Sequence, residues 1–84
     1  MVDLERIQNM FQARTKQYGH PSYSFSKIAE GWSIILNTHV EPQQVALCMM
    51  WLKICRHTNK PDQDNIDDIV GYCMVHDMIS EEES

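Results

Sequence analysis

Apolar residues recur at spacings of three and four in four stretches of the chain. In the first, Leu4, Ile7, Met10, Phe11 and Tyr18 predict a helix from about Asp3 to Gln17. Asp3 suits its N-cap, Gly19 its stop, and Pro21 bars continuation. In the second, Phe25, Ile28, Ala29, Trp32, Ile35 and Leu36 form one apolar face of a helix ending at Leu36. It starts at Ser22 or Ser24, both candidate caps. Gly31 lies inside it at a cost of about 1 kcal/mol against Ala, which would suit the close approach of a neighbour or ligand.

The third stretch opens at Glu41-Pro42, with proline at the first helical position, and reaches about His57. From Val45 to Cys55 only Lys53 is polar, so this helix is either central or shared with another subunit. Lys53, Arg56 and His57 share a face in its last turns, where the helix dipole favours cations. The fourth stretch runs from about Asp64 to Ser80, capped by Asp62 or Asp64, and buries Ile66, Ile69, Val70, Cys73, Met74 and Met78. Asp64, Asp67 and Asp68 sit in its first turns, where the dipole favours acids. No strand pattern, repeat or linker interrupts this order. The expected fold is all-α, a compact four-helix bundle-like domain over 1–80 with a solvated acidic tail at 81–84. Short loops make the third and fourth helices a hairpin. Lys53, Arg56 and His57 then come near Asp64, Asp67 and Asp68.

Composition adjusts this picture in three ways. A chain of 84 residues buries a thin core, yet 43% of it is hydrophobic, so a homo-oligomer is expected. The net charge of −5 excludes non-specific binding to duplex nucleic acid, while leaving room for a small phosphorylated ligand. The odd set Cys48, Cys55 and Cys73 lies within apolar runs and reads as buried free thiols in a reducing cytosol. A charged, amphipathic N-terminus and the lack of any apolar run of 18 residues predict neither a leader nor a membrane span. A cytoplasmic location follows.

Two chemistries are open to these residues. Asp64 with Asp67 or Asp68 can hold Mg²⁺ on one helix face, but a working site recruits further carboxylates, and only Glu30 and Glu41 are on offer from the second and third segments. Lys53 and Arg56, with Arg14, Lys16, Lys27 or Lys60, can neutralise phosphate. Tyr18, Tyr23, Phe25, Trp32, Trp51 and Tyr72 can stack a base, with Tyr18, His20 and Tyr23 placed at an accessible break. The histidines have no zinc-ligand spacing, and no nucleophile elbow or phosphate-binding glycine loop occurs.

These residues resemble a family of small phage and prophage proteins classed as a domain of unknown function. Its Tyr-Gly-x-Pro-x-x-x-Phe-x-x-Ile-Ala-x-x-Trp segment is matched by Tyr18, Gly19, Pro21, Phe25, Ile28, Ala29 and Trp32. Pro42, Val45, Ala46, Met49, Leu52, Lys53 and Arg56 match its next segment, and Asp64, Asn65, Asp68, Ile69, Gly71 and Tyr72 its last. The resemblance covers roughly residues 16 to 75 and brings no settled activity. The Asp-rich final helix is also similar to a motif helix of MazG-like nucleoside triphosphate pyrophosphohydrolases. Their Glu-Glu-x-x-Glu helix has no counterpart here, because the second segment reads SFSKIAEGW.

The leading expectation is therefore a phage-encoded protein in the infected host cell that binds and sequesters a defence or signalling nucleotide without hydrolysing it. Lys53 and Arg56, with His57 beside them, would meet phosphate. Tyr18, His20 and Tyr23 would meet base or ribose, and Asp64 and Asp68 would fix the cations or ribose hydroxyls. No resident cofactor or metal is expected, although Mg²⁺ can accompany a phosphorylated ligand. The alternatives are a MazG-like Mg²⁺-dependent pyrophosphohydrolase and a protein-binding inhibitor of a host enzyme, the latter suited by Met-rich helices.

Overall fold

The computed structural model describes residues 1–83, with Tyr18 described in its backbone only. Four helices follow one another: α1 (Leu4–Tyr18), α2 (Pro21–Leu36), α3 (Pro42–Asn59) and α4 (Gln63–Glu83). No strand occurs among the described residues.

Local chemistry sets each boundary. Asp3 Oδ1 accepts from Arg6 N at 3.0 Å and caps α1. Gly19 ends α1 with φ of 86° and ψ of −174°, a conformation essentially reserved for glycine, and its N–H donates to Thr15 O at 2.8 Å. The cap of α2 differs from expectation. It is His20, whose Nδ1 accepts from Ser22 N at 3.1 Å, so the helix starts at Pro21 and both serines lie inside it. The short distance from Gly19 to Pro21 explains this, since proline already holds the helical φ and needs no donor of its own.

Asn37 closes α2 in the left-handed region with φ of 53°. Thr38 N then donates to Ser33 O at 3.2 Å, satisfying a terminal carbonyl. Glu41 N donates to Gln44 Oε1 at 2.8 Å at the head of α3, and Asp62 Oδ1 accepts from Asp64 N at 2.9 Å at the head of α4. α4 continues to Glu83, past the expected end at Ser80. Gln43 Nε2 donates to Glu83 Oε2 at 2.5 Å and ties this last turn to α3.

α3 and α4 pack most extensively, α2 lies against both, and α1 packs on α4. Ala46, Val75 and Ile79 form the centre of the core, with Phe11 and Phe25 against it. Among the described residues, the buried apolar ones are Ile7, Pro21, Ala29, Val45, Ala46, Val75 and Ile79. All three cysteines are exposed, contrary to the expectation of buried thiols. The protein itself covers one side of α3 and leaves Cys48 and Cys55 on the other. The apolar face read for α2 is likewise covered only in part: Ile35 and Leu36 are exposed. A Cβ at Gly31 would meet nothing within 4 Å, so no close approach explains that glycine.

Candidate functional site

Where α1 and α2 lean over the α3–α4 hairpin they leave a cavity of about 640 Å³. Such a volume is in the range of small-molecule and cofactor sites. Phe11 from α1, Phe25, Ile28 and Trp32 from α2, Met49 from α3 and Tyr72 from α4 supply its apolar walls. Phe25 and Tyr72 approach with ring centroids 6.3 Å apart and planes tilted by 55°, a favourable aromatic geometry.

Charged groups enter the same space. Lys53, Arg14, Asp67 and Asp68 all line the cavity. Lys53 Nζ stands 2.9 Å from Asp68 Oδ2, with the lysine side chain 16% exposed. The hairpin connectivity creates this pair, since the last turns of α3 run beside the first turns of α4. Asp67 is buried and ion-paired to Arg6 of α1. Gln63 Nε2 donates to its other oxygen at 3.1 Å, and the N-terminal ammonium donates to Gln63 Oε1 at 3.3 Å. The Gln63 hydrogen bond leads in holding the Asp67 carboxyl below its ordinary range. Burial opposes it, and the Arg6 guanidinium and the N-terminal charge reinforce it. This network fastens α1 across the cavity.

The residues singled out from sequence divide into two groups. Lys53 and Asp68 meet in the cavity. Arg56, His57, Asp64, His20 and Tyr23 are not among its lining residues. Asp62 N donates to His57 Nδ1 at 3.2 Å, so that ring folds onto the loop before α4. Asp64 sits at the head of α4, and Arg56 is exposed. His20 is engaged in capping α2, and Tyr23 is exposed. The Tyr18 side chain lies outside what the structure describes. The α1–α2 junction nevertheless borders the cavity, through Gly19 and, in the first turn of α2, Pro21 and Ser24.

Arg6 carries no local signal of its role, because its partner lies 61 residues away. Arg14, Phe25, Trp32 and Tyr72 stand out in the sequence only as members of larger sets of cations and aromatics. One usable signal was the α1 stripe of Ile7, Met10 and Arg14, whose spacing places a cation beside two apolar residues that line the cavity.

Asp67 and Asp68 are each paired with a cation, and no cluster of three His, Cys, Asp or Glu suited to a metal occurs among the described residues. No helix among the described residues is long and apolar enough to cross a membrane.

The family model DUF6378, a domain of unknown function, matches residues 4–80, which takes in all of the cavity. No curated protein and no solved structure matches the chain.

Proposed function

We propose, for a chain that belongs to the DUF6378 family of unknown function, that the interhelical cavity binds a nucleotide-like ligand and holds it without hydrolysis. The observation that carries this reading is the mixed lining: Phe25, Trp32 and Tyr72 beside Lys53, Asp68 and Arg14. Aromatic faces suit a base, and lysine and arginine suit phosphate. Asp68 orients Lys53 and accepts from ribose hydroxyls when a phosphate takes its place at the ammonium.

Arg56 and His57 follow Lys53 by about one helical turn, and Asp64 precedes Asp68 by about one, so they meet the part of a ligand that protrudes toward the hairpin loop. His20 and Tyr23 neighbour Gly19 and Pro21 along the chain, and would meet a base or ribose that reaches past the cavity edge. The likeness to small phage proteins supports a role in withdrawing a defence or signalling nucleotide inside an infected cell, as a self-associated protein. Because Arg6 and Lys53 occupy the two carboxylates, the donor set does not fit a resident Mg²⁺. Any Mg²⁺ arrives with the ligand's phosphates.

Isothermal titration against linear and cyclic nucleotides tests the proposal. At least one should bind saturably, and Lys53→Ala should weaken it by about 10- to 100-fold, as removal of a charge-assisted contact implies. Absence of binding by every nucleotide to the folded protein sinks the reading. Steady release of pyrophosphate from a nucleoside triphosphate with Mg²⁺ would instead favour the hydrolase.

A further inference from the structure

Among the described residues, two cations line the cavity, Lys53 and Arg14, and they keep different company. Lys53 Nζ stands 2.9 Å from Asp68 Oδ2. Asp67, the other carboxylate of the lining, is paired with Arg6 through Oδ2 and accepts from Gln63 Nε2 at 3.1 Å through Oδ1. Arg14 has no ion-pair or hydrogen-bond partner among the described residues. It follows Ile7 and Met10 along one face of α1 and joins them in the lining. Arg14, Lys53 and the Arg6 that neutralises Asp67 therefore face two carboxylates, which leaves an excess of one positive charge, and Arg14 carries it. The N-terminal ammonium adds nothing here, because it bonds exposed Gln63 and neither residue lines the cavity. A guanidinium offers a planar fork of donors that matches two oxygens of one phosphate.

We infer that the cavity selects a ligand with a single phosphate group, best a phosphodiester with one negative charge, and that Arg14 holds that group. The inference rests on the nucleotide reading for base and ribose, and adds the charge. One negative charge balances the excess. A phosphate that also reaches Lys53 displaces Asp68, and ribose hydroxyls then donate to the freed carboxylate, so the charge sum is unchanged. A polyphosphate brings further negative charge for which the lining holds no cation, and it meets Asp68 in the same space. Phe25, Trp32 and Tyr72 beside these groups reduce the water that would screen the repulsion. A phosphomonoester, with about −1.5 to −2 charges at pH 7, falls between the two.

Calorimetry without divalent metal tests this, with adenosine and guanosine each supplied as cyclic monophosphate, linear monophosphate and triphosphate. The cyclic form of the preferred base should bind tightest, and its triphosphate about 10-fold or more weakly. Arg14→Ala should weaken the cyclic form by about 10- to 100-fold, with helix content unchanged by circular dichroism. Arg14→Lys keeps the charge without the fork and should lose less. Asp68→Asn raises the excess by one charge and should narrow the gap between triphosphate and cyclic form. Diphenyl phosphate, a diester with rings but neither base nor ribose, should bind the wild type and fail with Arg14→Ala. A triphosphate that binds as tightly as the cyclic form, or an Arg14→Ala protein that binds every probe like the wild type, overturns the inference and leaves the nucleotide reading standing. Diphenyl phosphate held through Arg14 while every nucleotide fails supports the charge assignment and removes the nucleotide. Failure of every probe to bind the folded wild type overturns both.

Discussion

The two tryptophans of this chain stand in contrasting regions. Trp32 walls the cavity among Phe25, Ile28 and Tyr72, on a face of α2 that turns toward the hairpin. Trp51 stands 66% exposed on the outside of α3, with Leu47 and Ile54 exposed in line with it. Both lie in strongly apolar segments and read much alike along the sequence. What separates them is which neighbour covers each face. The inner side combines rings with two ion pairs and encloses a space for a ligand. The outer side offers an uncharged stripe without a polar network. Polar groups fixed among apolar walls are the features of a small-molecule site, and the outer face has none of them.

The largest expected effect contrasts the core with the outer stripe. Ile79 is fully buried, so Ile79→Ala should cost about 2–5 kcal/mol in chemical denaturation. Leu47→Ala, at a position 51% exposed, should stay within about 0.5 kcal/mol. Similar costs for the two would erase the distinction between inner and outer faces. The cavity rim comes next. Gly19→Ala should lose about 1–3 kcal/mol, because φ of 86° with ψ of −174° strains any side chain even though a Cβ there meets Tyr23 Cδ2 only at an ordinary 3.6 Å. A neutral result would mean that the α1–α2 junction relaxes freely, and the rim would then not be fixed.

Acid should act on the inner side. The folded pKa of Asp67 is lowered, so its contribution to stability is present above the ordinary aspartate value, about 3.9, and is lost as pH falls from there through the folded value. Denaturation midpoints measured across that range should drop in the wild type and drop less in Asp67→Asn. Identical profiles for the two proteins would remove Asp67 from the network that holds α1.

Much of this architecture is legible in the residues. Asp3, Gly19, Pro42 and Asp62 act locally, and their effects follow from backbone chemistry alone. The Lys53–Asp68 pair follows from the hairpin, which sequence order dictates. His20 escaped as a cap because histidine seldom fills that position, and two nearby serines offered the commoner solution. The exposed Cys48 and Cys55 of α3 escaped for a different reason. Periodicity tells which side chains share a face, but α3 is apolar on nearly every face, so its pattern cannot say which side the other helices cover. Arg6 reaches Asp67 only through the docking of α1 on α4, a long-range event without a local signature. Arg56 and His57 were grouped with Lys53 by helical spacing, yet neither lines the cavity and His57 turns to the loop before α4.

The contrast between the tryptophans also supplies the most direct measurement of the central claim, that the cavity takes a nucleotide. Trp51→Phe leaves Trp32 as the single emitter and keeps the outer stripe apolar. Titration of this variant with the tightest-binding nucleotide should change Trp32 emission saturably, with the same midpoint as calorimetry, while Trp32→Phe leaves the Trp51 signal flat. Binding that leaves Trp32 silent and perturbs Trp51 would place the ligand on the outer face and contradict the account.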